Sequence, residues 1–430
     1  MYFLLFRSII KNSLTVFLSL YISFLFVEAI LIYTNLDRKS VRSDIYKIIE
    51  KKKNKTNFDK RDLVEFYLDY KKINPNAVLS TTSIGFNSHL DPSFLLDNGT
   101  KVIPLSGVSN KETILCNELG YFAKYASDNY GFNNPSNWKN NYDFLLLGDS
   151  IVEGYCVNEE NNIAGNLKNL LKKKDSVLNL GRGANGPLKN YAILKEYIDL
   201  IDVKNILFFY TAGNDLIDLN KEIKDPLLKK YYMEIEYYQK LHKFQKLIDK
   251  NMILKIEGAT SKYLEEKKKI EEKSYHIYKF FKLNRTIRFK NKFFRKLKHQ
   301  GEEAENTKEF STKYIFEDLI NNEFKEIIKL SYEIANQKKI NFYFVYVPSY
   351  FSSHKNFMGN EVITHMNDQY YLDVLSVIND LGIPLIDLKA ELFKEDSDPL
   401  SILPFRTYGH FNENGNRLIS NIIINKIFDN

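Results

Sequence analysis

Residues 144 to 157 read FLLLGDSIVEGYCV, and the fold turns on how this stretch is interpreted. Phe144-Leu145-Leu146-Leu147 is a short apolar run between polar neighbours, the pattern of a buried strand. It ends in Gly148-Asp149-Ser150, and a helix-patterned segment from Asn161 to about Lys174 follows. A serine just past the carboxyl end of a buried strand stands where open α/β sheets bind their ligands. The glycine beside it lets the backbone bend sharply and lets substrate come close. Taken alone, Gly-Asp-Ser is equally an ordinary strand-ending turn.

The segments that follow extend the pattern. Ser176–Leu180, Asn205–Tyr210, Asn341–Val347 and Ile383–Leu388 read as strands. Between and after them, Asn190–Ile201, Phe316–Gln337, Gln369–Leu381 and Asn416–Phe428 read as helices. This alternation predicts a parallel sheet covered by helices on both faces. It is interrupted over about 216–312, where Lys, Tyr, Phe, Ile and Leu mix at helical spacing. Tyr232, Ile235, Tyr238, Tyr263, Phe280, Phe281 and Phe293 belong to this insertion, as does the run Lys267-Lys268-Lys269. Two readings stay open for it: a helical subdomain with a solvated basic face, or a membrane-facing or lid element. Gln300–Thr312 reads as a flexible link.

Upstream of the sheet, 77–140 is broken by Gly, Pro, Asn and Ser into short apolar pieces. Phe94–Leu96, Lys101–Leu105 and Thr113–Cys116 suggest a small β-rich element packed on the main domain. Its aromatics, Tyr121, Tyr125, Tyr130, Phe132 and Trp138, could face a carbohydrate, but plain packing is the simpler use of such area. Residues 36–76 form a charged segment whose Asp44–Asp62 portion reads as a helical stalk. Residues 1–35 contain a different signal. Leu14–Tyr33 is 20 residues long with one charge, Glu28, which suffices to cross a bilayer's hydrocarbon core. Glu28 lies near the distal end, where a carboxylate reaches the interface at least cost. Arg7 and Lys11 precede the run and no small-x-small cleavage site follows, so it reads as an uncleaved signal anchor.

Composition adds bounds. The 430 residues are 44% hydrophobic and 27% charged, as in an ordinary globular protein. The net charge of +7 accompanies a general richness in lysine, and no helix-turn-helix or zinc-finger pattern supports a nucleic-acid partner. The two cysteines, Cys116 and Cys156, could be buried hydrophobes. In an oxidising compartment they would close a disulfide that staples the β-rich element beside the serine loop. Six of the seven histidines, all but His410, are scattered without metal-ligand spacing, so neither a zinc site nor any other cofactor is expected.

Four blocks, in order, resemble the GDSL/SGNH hydrolases, a family of serine esterases and acyltransferases. They are Gly148-Asp149-Ser150 with Gly154, Val177 to Gly186 (VLNLGRGANG), Thr211-Ala212-Gly213-Asn214-Asp215, and His410-Phe411-Asn412-Glu413-Asn414-Gly415. The ordered set is more specific than any one block. The resemblance covers 142–430 without the insertion and implies a three-layer, flavodoxin-like α/β/α domain over 141–430. It implies Ser150 as nucleophile, His410 as general base, and an oxyanion hole made by the N–H groups of Ser150 and Ala184 and the side chain of Asn214. It further implies an O-acyl ester as substrate, on a surface glycan or related carbohydrate, and an extracytoplasmic domain. The basic residues from Arg38 to Lys53 would by the positive-inside rule argue the other orientation, although long domains translocate despite such charge.

The chain departs from the family pattern at Ala184 and Ala212, where glycine is usual. It departs again at Thr407, which stands three residues before His410 in place of an acid. The family's acid orients the imidazole and stabilises the imidazolium. Here a backbone carbonyl, Thr407, Asp387 or Asp398 could orient His410, leaving a Ser–His dyad. A catalytically inactive scaffold or glycan-binding protein is the competing class.

Overall fold

The computed structural model describes residues 2–34, 57–82, 93–96, 99–291, 316–348, 370–393, 398, 400–406 and 409–428. They fall into two units, one built from 1–48 with 261–313 and the other from 49–260 with 314–430.

Among the described residues the larger unit holds ten strands: β1 (Ala77–Leu79), β2 (Phe94–Leu95), β3 (Lys101–Val102), β4 (Glu112–Ile114), β5 (Lys124–Ala126), β6 (Asn141–Leu147), β7 (Val177–Asn179), β8 (Asp202–Thr211), β9 (Asn341–Val347) and β10 (Leu385–Asp387). The last five form one parallel sheet in the order β10-β9-β8-β6-β7. This is the flavodoxin-like winding: the chain passes from β6 to one side, then returns past it to the other. The serine strand β6 is therefore at the switch point, where the crevice of such sheets opens.

Side chains alternate across the sheet with period two. Phe144, Leu146, Leu207, Phe209, Val345 and Val347 enter one core, which is closed by the helices Ile163–Leu170 and Glu413–Phe428. Leu145, Leu147, Ile206, Phe208, Phe342 and Phe344 enter the other, under the helices Pro187–Tyr197 and Lys325–Gln337. The Pro187 helix begins earlier than the expected Asn190. Gly186 is its N-cap and Pro187 its first residue, a position where proline's missing N–H costs nothing.

The β-rich element is present as a three-stranded sheet, β1-β4-β5, and a short β2-β3 hairpin. Its aromatics are packed. Tyr125 and Phe132 are buried, and Trp138 packs edge-on against Tyr130 and at a tilt against Tyr197 while its indole N–H donates to the buried Asp128. Burial raises the Asp128 carboxyl to about 6 against the hydrogen bonds it accepts. The stalk is corrected in part. Residues 44–56 lie outside the described residues, and 57–62 is not helical. The helix here is Leu63–Ile73, started by a capping box between Asp62 and Glu65. Its Val64 and Tyr67 are buried in the main core, so it packs as part of the domain.

The insertion is not a single helical body. Its first helices, Asp215–Glu222 and Pro226–Met233, with the start of Gln245–Glu271, bury Leu219, Leu228, Tyr231, Ile248 and Ile256 in the main core. Residues 261–313 instead group with the N-terminal helix Tyr2–Thr34. Gln300–Thr312 and Phe293 lie outside the described residues. Within the N-terminal helix, the 23 residues Lys11–Tyr33 are long and apolar enough to cross a membrane, their most apolar 18-residue stretch having a mean hydropathy of 2.2.

Cys116 and Cys156 are bonded, with Cα atoms 4.9 Å apart and a sequence separation of 40. Closing a loop of that length removes chain entropy worth about 4 kcal/mol from the unfolded state. Replacing both cysteines by serine should lower unfolding free energy by up to about that amount. Alkylation of unreduced protein should tag neither position, and tagging of both would show that the bond is not made.

Candidate active site

Strand β6 ends at Leu147, and Gly148 turns the chain so that Ser150 opens the short helix Ser150–Glu153. Asp149 is the N-cap and accepts from the Ile151 N–H at 2.9 Å. The same buried carboxylate accepts from Thr211 Oγ1 at 3.0 Å and from Asn214 Nδ2 at 2.8 Å. Burial pushes the Asp149 carboxyl up, and those three donors pull against it. One carboxylate thus ties the serine turn to the carboxyl end of β8.

Ser150 Oγ lies 3.0 Å from His410 Nε2, and His410 Nδ1 lies 3.0 Å from Glu118 Oε1. The second Glu118 oxygen accepts from the His410 backbone N–H at 2.7 Å. A carboxylate at Nδ1 fixes the proton there and leaves the Nε2 lone pair toward the serine hydroxyl. Gly409 makes this approach possible. Its φ is +135°, and an added Cβ would stand 2.5 Å from Glu118 Oε2. The Tyr155 ring closes over the imidazole at a centroid distance of 4.6 Å. Burial lowers the His410 pKa, but the Glu118 carboxylate, with Asp149 and Glu153 behind it, outweighs that and holds it above the ordinary 6.5.

The acid is therefore none of the candidates expected from sequence. Asp387 caps the helix Leu388–Leu392 and bonds the Tyr371 hydroxyl. Asp398 pairs with Arg406 at 2.6 Å. Thr407 lies outside the described residues. Glu118 comes instead from the turn between β4 and β5, 292 positions before His410. One sequence signal pointed to it: Glu118 is two residues from Cys116, and Cys156 is six from Ser150, so pairing the cysteines brings the two turns together.

The expected oxyanion donors can be sorted by accounting for each backbone N–H of the loop after β7. Gly181 donates to Asn179 Oδ1, Arg182 to the Gly148 carbonyl, Gly183 to Glu153 Oε2, Asn185 to the Arg182 carbonyl and Gly186 to Glu222 Oε1. Ala184 alone in this loop has no partner among the described residues, and its φ of +60° is the left-handed conformation that favours glycine. The Ser150 N–H, first in its helix, likewise has none among the described residues. Asn214 stands at the N-cap of Asp215–Glu222 but makes no side-chain cap bond. One Nδ2 hydrogen is spent on Asp149 and the other remains available.

Glu118, Cys156 and His410 approach one another closely enough to suggest a metal site. The Cys156 sulfur is in the disulfide and Glu118 is engaged with His410, so this group offers no thiolate and no open carboxylate.

A serine, an imidazole and a carboxylate thus lie in series at the switch point of a parallel, flavodoxin-like sheet. No protein-family model and no curated protein matches the chain. Among solved structures it is similar to a protein from Desulfitobacterium hafniense DCB-2 described as lipolytic and of the G-D-S-L family. The two are 12% identical, the match covers 66% of this chain and 98% of that one, and the TM-score is 0.34.

Glu118→Gln should lower ester turnover by up to about 10⁴-fold, the loss that follows when a protease triad's acid becomes an amide. His410 must be neutral to act as base, and Glu118 raises its pKa. Losing that charge should move the acid limb of the pH–rate profile to lower pH. An unmoved limb with unchanged turnover would reduce Glu118 to a structural contact.

Proposed function

We propose that the chain is a serine-dependent hydrolase or transferase of O-acyl esters. The observation that carries this reading is the continuous contact Ser150–His410–Glu118, together with N–H groups at Ser150 and Ala184 that have no partner among the described residues. Ser150 Oγ attacks the ester carbonyl carbon while His410 Nε2 takes the hydroxyl proton. Glu118 stabilises the imidazolium that results. The carbonyl oxygen, now an anion, is met by the N–H groups of Ser150 and Ala184 and by Asn214 Nδ2. As the tetrahedral intermediate collapses, His410 returns its proton to the departing alkoxide and the acyl group stays on Ser150. Water or a sugar hydroxyl then attacks the acyl-enzyme, giving its proton to His410, which passes it to Ser150 Oγ as the acyl–oxygen bond breaks, so that the serine hydroxyl and the neutral imidazole are restored.

The substrate in this reading is an acyl ester, acetyl in the first instance, on a cell-surface glycan. The domain is held outside the cytoplasm by the N-terminal helix, and the Cys116–Cys156 bond supports that compartment. The alternative of an inactive scaffold was motivated by the missing acid at Thr407, and Glu118 removes that motive.

A fluorophosphonate probe should label the wild-type protein and not Ser150→Ala. Absence of labelling in both would leave the scaffold reading standing. Asn214→Asp should cost about 100–1000-fold in turnover with little change in KM, because the carboxylate opposes the oxyanion only as it forms. Near-normal turnover of Asn214→Asp would exclude Asn214 as an oxyanion donor.

A further inference from the structure

Glu28 is an anomaly in a helix apolar enough to cross a bilayer, where a bare carboxylate is expensive. It does not reach for the interface by itself. It is buried, and its oxygens accept from the Arg285 N–H at 2.9 Å, the Thr286 N–H at 2.7 Å and Thr286 Oγ1 at 2.8 Å. These N–H groups open the helix 284–291, so Glu28 does the work of a cap supplied from another segment. The chain reaches that point from the helix Lys273–Phe281 through a turn in which Leu283 has a φ of +52°. The Tyr21 hydroxyl donates to the Phe281 carbonyl, and Arg285 Nη1 donates to the Leu31 carbonyl. Residues 273–291 thus form a helical hairpin fastened along the helix from Tyr21 to Leu31, a rise of about 15 Å. That is about half the hydrocarbon thickness of a bilayer.

The hairpin's outer surface is apolar where the anchor's is. Ile277, Phe281 and Ile287 are 57%, 52% and 50% exposed, beside Phe24 and Ile30 of the anchor at 48% and 54%. From Lys273 to Gln300 the sequence has ten lysines and arginines and no acid. Water is a poor solvent for the first feature, and a neutral protein surface offers nothing to the second. An anionic bilayer surface suits both, taking apolar side chains among acyl chains and basic ones among headgroups.

We propose that 273–291 is a second membrane element, seated in the interfacial layer of the leaflet that takes the distal half of the N-terminal helix. The inference rests on that helix crossing the bilayer. Glu28 would then be a positioning residue that pins the hairpin at its depth.

The test uses the full chain in phosphatidylcholine/phosphatidylglycerol nanodiscs. The native cysteines are disulfide-bonded, so a single added thiol can be labelled with an environment-sensitive fluorophore. Labels at Phe24→Cys, Ile277→Cys, Ile287→Cys and, as an aqueous control, Lys224→Cys are quenched either by iodide or by nitroxide lipids. The proposal expects the Ile277 and Ile287 labels to resist iodide at least threefold better than the Lys224 label and to be quenched by nitroxide lipid. Glu28→Ala should return the Ile287 label to control behaviour while the Phe24 label stays lipid-quenched. Iodide quenching of the hairpin at the control level, with the Phe24 label protected, overturns the hairpin and spares the anchor. Protection from both quenchers also overturns it, in favour of a second protein copy over the hairpin. A Phe24 label open to iodide overturns the anchor and the hairpin together.

Discussion

The grip of Glu118 on His410 is the constraint on which the site depends. A single carboxylate holds the imidazole by its ring nitrogen and its backbone by the N–H, so the ring can neither rotate nor retreat. The carboxylate belongs to a turn outside the parallel sheet, and the turn itself must be held. Asn117 does part of this, donating to the Asp59 carbonyl and accepting from the Gly120 N–H. The Cys116–Cys156 bond does the rest, joining the Glu118 turn to the segment that leaves Ser150. An acid near its histidine in sequence would need none of this. Bringing one from the β-rich element makes that element a structural requirement of the site.

Other buried carboxylates hold the remaining parts. Burial raises the pKa of Asp149, Glu153 and Glu222, so each is kept in place only by the donors around it. Glu153 takes Arg182 and the Gly183 N–H, and Glu222 takes the Gly186 and Leu188 N–H groups. With the Arg182 carbonyl, which takes the Asn185 N–H, they occupy the loop's donors on both sides of Ala184, whose own N–H has no partner among the described residues. Removing an acceptor here would strand a buried donor, which costs about 1–3 kcal/mol. The loop is therefore held by its own buried acceptors.

The same logic of a charge satisfied by a distant segment recurs at Glu28. Its partners are backbone N–H groups at the start of a helix more than 250 positions away. A residue that looks like a flaw in an apolar run is thus a joint between two pieces of chain.

The sequence by itself determined the sheet and singled out Ser150 and His410, two side chains that the structure brings into contact. Runs such as Phe144–Leu147, Ile206–Tyr210 and Phe342–Val347 are apolar on both faces, and only a strand buried between two helical layers uses them fully. Ser150 and His410 were legible because each lies inside a local block whose neighbours repeat a known pattern. Ala184 was visible as an alanine in a glycine's place, but its left-handed φ and its unpartnered N–H were not, because both depend on where Glu153 and Glu222 reach. The helical reading of 57–62 and the unity of the insertion were misread because charge and amphipathic spacing report exposure of a face, not which body covers the other. Only the tertiary structure decided Glu118. Apart from its place two residues after Cys116 it carries no mark in the sequence, and two residues 292 positions apart become neighbours through strand pairing and a disulfide rather than through any periodicity of the chain.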